Sequence, residues 1–406
     1  MKKLLLFGAG KIGRSFIGQL FAKSGYEIVF ADIDHKIVDL INTKGCYKIH
    51  IRDNNHPEKE ETYTVKNISA IHLSDKVAVN KNIIESDIIV LSVGKRGMLS
   101  LADLLAEGIS ERYIARKEQA VDIILAENVR NAAGMLRKRL KLCLPYFPLD
   151  EYVGLVETSI GKMVPNMSEE NLKKDPLALI AEPYNTLIVD AKGFKNAIPD
   201  VEGLAPKKHM KAWVDRKLFI HNLGHVTLAY HANTYDPGLI YTWEALNIQA
   251  LKDVTRNTML QSAEILIDMY PSECSREQLI IHIDDLLDRF SNRALGDTIF
   301  RVGCDLSRKL GVSDRLMTPI LTGIDTGKEY GLILEAWIKG CYFNASDEQG
   351  KHIPEDEKFK LKYSEDPLNI LENRCKINSE RKSLIRCGIK GLMRDSAINP
   401  ELHSEA

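Results

Sequence analysis

A short apolar run, a glycine-spaced turn and a helix follow one another at the start of this chain, and no other stretch restricts its fold as tightly. Lys3 to Phe7 reads as a strand. GAGKIG then sets Gly8, Gly10 and Gly13 in the spacing G-x-G-x-x-G at the opening of a helical pattern, RSFIGQLFAKSG. The first glycine permits a tight turn, the second lets the backbone approach a pyrophosphate, and the third allows close helix–strand packing. Ala9, Lys11 and Ile12 complete a turn whose unpaired N–H groups, at a helix N-terminus, favour phosphate. The spacing alone is a weak signal. Its weight comes from a second strand, Tyr26 to Asp32, which ends in a carboxylate 19 residues past Gly13. A carboxylate there accepts both ribose hydroxyls of NAD and repels a 2′-phosphate. The plain alternative is a glycine turn with an incidental surface aspartate. The expectation is an α/β fold, an N-terminal Rossmann-type doubly wound sheet with NAD as cofactor.

The following segments fit that sheet. Residues 47–67 alternate in polarity as two exposed strands around a polar turn with Pro57, a hairpin inserted into the nucleotide-binding fold. Ser86 to Gly94 is a buried strand ending in Val93-Gly94, where a small residue leaves room for the cofactor's ribose; a plain turn reads equally well. Ala120 to Asn128 is the next strand. Asn128 stands at its C-terminal end, the edge where open α/β sheets bind ligands, and Asn131 is the more ordinary helix cap. Tyr152 to Ser159 continues the sheet and leaves it through the loop IGKMVPN. Leu177 to Gly193 holds two more apolar runs.

After Pro199 and Pro206 the pattern turns helical, over 207–231, about 241–269, 276–290, 296–310 and 326–340. We therefore expect an NAD-binding domain over 1–200 and a mainly α-helical substrate domain over 201–406. Asn292 and Asp297 read as helix caps, and Arg315 falls in a loop ahead of Pro319. From about 346 the chain is charged and weakly periodic, as a peripheral tail would be.

Lys211 to Tyr230 reads as one helix, yet it carries Lys217, Asn222 and His225 among aliphatic positions. On an α-helical wheel Asn222 lies about 140° and His225 about 80° round from Lys217, so the three can face a common space. A partly buried lysine can move the proton of an alcohol, an amide can hold a developing oxyanion, and an imidazole can orient substrate. The bland reading is a solvated lysine, a helix-interior amide and a satisfied core histidine.

Composition narrows the class. With 55 basic and 56 acidic side chains the formal net charge is −1, so bulk attraction to nucleic acid or an anionic membrane is not implied. The opening apolar run, Leu4 to Phe7, is too short for a signal peptide or a membrane span. Seven scattered cysteines without CxxC or Cys/His ligand spacing point to reduced thiols in a cytoplasmic compartment and give no metal site.

FGAGKIGRSFIG, FADID and KLFIHNLGH together resemble the polyol-specific long-chain dehydrogenases, the mannitol dehydrogenase family. AEPYN, IPDVEGL, RFSN…D…RV and SDRLMTPI follow that family's order, so the likeness runs from residue 1 to about 340. It implies Lys217 as general base, Asn222 and Asn128 as oxyanion-site amides, and His225 as a substrate-orienting residue, with His221 left as a packing residue or a support behind the site. The cleft would lie between the domains. The implied partner is a small polyol or sugar phosphate, and the implied reaction interconverts mannitol 1-phosphate and fructose 6-phosphate with NAD. A related polyol or hexuronate reductase, or a non-catalytic NAD-binding regulator, stays open, as does the choice between monomer and homodimer. Where the family carries an Asp-Arg pair, this chain has Gly161-Lys162. Arg315 and Lys162 are the candidate phosphate contacts.

Overall fold

The computed structural model describes residues 1–53, 61–116, 119–165, 167 and 169–398. The turn expected around Pro57 lies outside them. The chain forms two compact units, Met1–Val214 and Asp215–Ala406.

Among the described residues of the first unit, eleven strands form two sheets: β1 (Lys3–Phe7), β2 (Glu27–Asp32), β3 (Cys46–Ile51), β4 (Glu61–Lys66), β5 (Ile68–His72), β6 (Ile88–Leu91), β7 (Val121–Leu125), β8 (Val153–Ile160), β9 (Leu179–Ala181), β10 (Leu187–Asp190) and β11 (Leu204–Lys207). The larger sheet has the order β11-β10-β8-β7-β6-β1-β2-β5. From β5 to β8 every pair is parallel, the order of a dinucleotide-binding fold. β10 is then added antiparallel to β8, and β11 parallel to β10. Because β1 is buried on both faces, its apolar run does not alternate with polar residues. Leu4 and Leu6 enter one core layer with Phe30, Val90 and Ile124, while Leu5 and Phe7 enter the other with Val29, Ile89 and Leu125.

The expected inserted hairpin is present. β3 and β4 pair antiparallel from Cys46↔Lys66 to Ile51↔Glu61, and β9 joins β3 in parallel as a third strand. The unit also takes in β11 and the start of the next helix, so it runs past the composition change near 200.

The second unit is helical. Leu223–Tyr235 is buried nearly all round, which explains its lack of a polar face. It packs against Gln249–Met269, Ile299–Gly303 and Gly331–Cys341. The pattern over 241–269 breaks into Thr242–Leu246 and Gln249–Met269. That over 296–310 breaks at Asp305, which has φ of 71°. The loop expected around Arg315 turns helical at Met317–Thr326, with Pro319 in the first turn, where a missing N–H costs nothing. The stretch from 346 is not peripheral. It contains Pro354–Tyr363, Pro367–Asn373 and Ser379–Ile398, and Phe359, Ile370, Leu371, Cys375, Ile385 and Ile389 are buried. Two of these helices are too short to show a period, which hid them. Among the described residues no helix is long and apolar enough to cross a membrane.

Candidate active site

The glycine turn is built by backbone geometry. Gly8 has φ of +98°, and a side chain there would strike the Ser92 carbonyl; one at Gly13 would strike the Gly8 carbonyl. Gly10 is exposed with nothing within 4 Å of where its Cβ would stand, so a ligand's backbone approach is open there. Asp32 Oδ2 accepts the Ala9 N–H at 2.6 Å, which ties the end of β2 to the turn after β1. Arg14 is buried and braces the same turn, its Nε donating to the Ala9 carbonyl at 2.7 Å and its NH1 to the Leu177 carbonyl at 2.6 Å. Lys11 is exposed, and its carbonyl accepts the Ser15 hydroxyl at 2.6 Å; Ile12 packs on the core. The helix then opens as a π turn, Gly13–Gly18, before Gln19–Lys23 continues it.

Further along the strand edge, Gly94 has φ of +77° and follows Val93. One oxygen of Glu127 accepts both the Val93 and the Gly94 N–H, at 2.7 and 2.8 Å. Burial pushes this carboxyl up against the pull of those two donors. Glu127 was missed at the sequence level, although an acid closing a wholly buried strand was the available signal. Asn128, next to it, is exposed. Asn131 has φ of 57° and precedes Ala132–Cys143 without capping it through its side chain.

In the second unit Lys217 opens another π turn, Lys217–Asn222. The α-helical wheel is therefore the wrong ruler. A π turn absorbs one extra residue, so Asn222 takes the place of an i+4 residue, about 40° from Lys217, and His225 that of i+7, about 20° away. The three share a narrower stripe than an unbroken helix allows.

Lys217 as a residue is half-buried, but its ammonium is enclosed. Burial, then the charges of Arg315 and Arg289, lower its pKa to about 7. His221 is buried, and burial, Arg289 and Lys217 hold it well below the usual histidine value. Its ring stands edge-on to His225 at 6.1 Å, in the supporting place that the sequence left open to it. The His225 ring lies flat on Phe290, 4.4 Å between centroids and 6° between planes. Its Nε2 is 3.0 Å from Asp297 Oδ2, a close contact off the line of a hydrogen bond. Burial lowers the His225 pKa although Asp297 pulls it up.

Asp297 corrects an expectation. Its carboxylate caps no helix; Thr298 caps Ile299–Gly303 instead. Burial raises the Asp297 carboxyl, and His225 and Arg301 outweigh burial to hold it below the usual range. Arg301 grips both its oxygens, Nε at 2.6 Å and NH2 at 2.5 Å. Asn292 is a cap as expected, accepting the Ala294 N–H at 3.1 Å.

Arg315 pairs with its neighbour, Nε to Asp314 Oδ1 at 2.7 Å, and Arg308 takes the other oxygen at 3.0 Å. Its charge still acts on both Lys217 and His225. Lys162 lies elsewhere, buried in the first unit, where its Nζ donates to Asn185 at 3.0 Å and Gln19 at 3.2 Å and faces the Phe16 ring. Gly161, beside it, faces the Tyr184 ring. Among the described residues no cluster of histidine, cysteine and acidic groups could hold a metal ion.

Two solved structures share the fold. A D-sorbitol dehydrogenase in substrate-free form is 17% identical with a TM-score of 0.73, over 90% of this chain and 86% of that one. Pseudomonas fluorescens mannitol 2-dehydrogenase, in a ternary complex with NAD and D-mannitol, is 16% identical with a TM-score of 0.73, over 100% of this chain and 95% of that one. The family model for the mannitol dehydrogenase Rossmann domain matches residues 2–203, and that for the mannitol dehydrogenase C-terminal domain matches residues 209–378. With most of its length covered by these two matches, the chain belongs to the mannitol dehydrogenase family.

Proposed function

We propose that this chain is an NAD-dependent dehydrogenase of polyols or polyol phosphates, with Lys217 as the general base. One observation carries the reading: an enclosed lysine, held at about 7 beside Arg315 and Arg289, on a π turn that aligns it with Asn222 and His225. A base poised near neutral pH can move a proton in either direction. The glycine turn suits a dinucleotide. Gly8, Ala9, Gly10, Lys11, Ile12 and Gly13 would hold the pyrophosphate, Asp32 the adenosine ribose, and Val93 and Gly94 the neighbouring edge. Bound NAD supplies a hydride acceptor. Lys217 takes the hydroxyl proton of the carbinol, Asn222 holds the oxygen as charge develops, and His225 orients the polyol. The resemblance makes Asn128 a second such amide. That the mannitol 2-dehydrogenase structure holds NAD and D-mannitol supports the cofactor and the substrate class.

The finer reading is mannitol 1-phosphate interconverted with fructose 6-phosphate, the chemistry of mannitol-1-phosphate 5-dehydrogenase. The guanidinium charge of Arg315 and Arg289 around the base supports an anionic substrate. With Lys162 spoken for by Gln19 and Asn185, the phosphate contact falls to Arg315. Asp314 favours the second reading, an unphosphorylated polyol, because it neutralises that arginine. The test is a panel of mannitol, sorbitol, hexuronates and mannitol 1-phosphate with NAD⁺ and NADP⁺, read by absorbance of the reduced cofactor. We expect NAD⁺ and mannitol 1-phosphate to be preferred. Arg315→Ala should raise KM for the phosphate by about 30- to 1000-fold and for free polyols far less. Preference for free polyols, or equal loss on both, removes the phosphate reading; no turnover on any of them removes the dehydrogenase.

A further inference from the structure

We propose that Asp297 fixes the tautomer of His225, so that the ring meets the substrate through an unprotonated Nδ1 and selects a hydroxyl group there. The inference rests on the reading of Lys217, Asn222 and His225 as the polyol site. Phe290 covers one face of the His225 ring in parallel, and His221 stands against that ring edge-on. Asp297 lies 3.0 Å from Nε2. The His225 side chain is 13% exposed and that of Asp297 7%, so neither is free to turn.

The carboxylate is then the deciding partner. Ionised, it has acceptors only, and at 3.0 Å its negative charge favours the proton on the nitrogen it faces even without a linear hydrogen bond. Arg301 binds both its oxygens and keeps it ionised and in place. The remaining nearby charge is cationic, Arg301 and Arg315, which disfavours a second proton on the ring. A neutral imidazole with its proton at Nε2 has a lone pair at Nδ1. Such a nitrogen accepts from an alcohol O–H but offers nothing to a carbonyl or phosphate oxygen. The device therefore reads a hydroxyl beside the reacting carbon, the group that every open-chain polyol repeats and a simple ketone lacks. Asp297 is in this sense a positioning residue, acting through His225.

Two measurements test it, using full-length protein. Long-range ¹⁵N–¹H correlation spectra of histidine-labelled protein, with His225 assigned by its loss in His225→Gln, should show a neutral ring protonated at Nε2. Asp297→Asn and Asp297→Ala should mix or reverse that pattern. A wild-type ring protonated at Nδ1, or one unchanged in both variants, overturns the proposal. This readout needs no turnover, so it stands apart from the dehydrogenase reading, which Lys217→Ala tests. In the kinetic arm, Asp297→Asn should lower kcat/KM for the polyol about 10- to 100-fold, the worth of one interaction with a charged partner, with KM for NAD⁺ unchanged. The loss should disappear for an analogue lacking the hydroxyl next to the oxidised carbon. Equal loss on both substrates makes Asp297 a structural residue.

Discussion

Each unit has a π turn in the helix that carries its candidate site, and the two are made in opposite ways. Gly13–Gly18 is framed by glycines, and its neighbourhood is defined by what has no side chain. Lys217–Asn222 is framed by a lysine and an asparagine, with His221 between them, and works through side chains. A π turn widens the helix and re-aims the residues after it, and it is found often at functional sites. In the first unit the turn is wholly buried and follows directly on the exposed Gly10. In the second it aligns three side chains that an α-helix would spread. The physical lesson concerns range. The glycine spacing of the first site is read within a few residues, although Ser92, Asp32 and Leu177 brace it from afar; the second site takes its electrostatics from its surroundings, here Arg289, Asp297 and Arg315.

The largest effect expected from this contrast is on the side-chain site. Lys217→Ala should lose about 10²- to 10⁴-fold in turnover while binding NADH as wild type does. NADH affinity by fluorescence and turnover by absorbance separate the two. Near-normal turnover would leave the second π turn without its purpose, and loss of NADH binding would erase the division between the sites.

The reverse experiment belongs to the glycine turn. A side chain at Gly13 meets the Gly8 carbonyl, which is backbone and cannot swing aside. Gly13→Ala should therefore weaken NADH about 10- to 100-fold, equivalent to about 1.4–2.8 kcal/mol. Calorimetric titration with NADH checks it. Unchanged affinity would mean that the close helix–strand approach is not what shapes the turn.

These two variants also mark what the sequence could reveal. Strands β1, β2, β6, β7 and β8 were legible because fully buried parallel strands are continuous apolar runs, and β3 and β4 through their alternating polarity; β5, half-buried at the sheet's edge, was not. The glycine turn was legible by its spacing, although the crowding at Gly8 comes from Ser92, far along the chain. Lys217, Asn222 and His225 were legible as polar exceptions in a buried helix. Their true alignment was not, since nothing local announces a π turn. Asp297 read as a cap because its partner is 72 residues earlier, at His225, and only packing joins them. Glu127 was overlooked beside Asn128 for the same reason, as its donors lie on the preceding strand's loop. Of the final helices, Pro354–Tyr363 and Pro367–Asn373 have few turns in which to repeat a pattern; that does not explain Ser379–Ile398, which is 20 residues long.

A smaller effect sharpens the side-chain half. If Lys217 is the base as proposed, it must be neutral to accept the alcohol proton, so oxidation should rise through about pH 7 and level off, and reduction should fall over the same range. Arg315 lowers the lysine's pKa. Its removal in Arg315→Gln should raise that pKa and move the rising limb of oxidation to higher pH. Profiles of kcat under saturating substrate report it. A limb that stays in place would show that Asp314 already cancels the arginine's charge at the base.

The smallest effect is expected at the backbone-built turn, and it asks how far that turn depends on its supports. Tyr47 on β3 is buried, and its hydroxyl donates to the Arg14 carbonyl at 2.7 Å, inside the π turn. A Cβ at Gly18 would collide with that hydroxyl, so the glycine at the turn's end makes the reach possible. Burial raises the Tyr47 hydroxyl's pKa well above the ordinary tyrosine value, which keeps it a donor at any working pH. Tyr47→Phe removes one donor from a buried carbonyl without changing the ring's packing. It should destabilise the protein by about 1–2 kcal/mol, seen as a drop of a few degrees in Tm. NADH affinity should fall less than threefold, because the glycines and the Asp32–Ala9 bond still set the turn. A larger loss of affinity would make the inserted sheet a working part of the dinucleotide site, and the contrast between a backbone-built and a side-chain-built site would fail at that point.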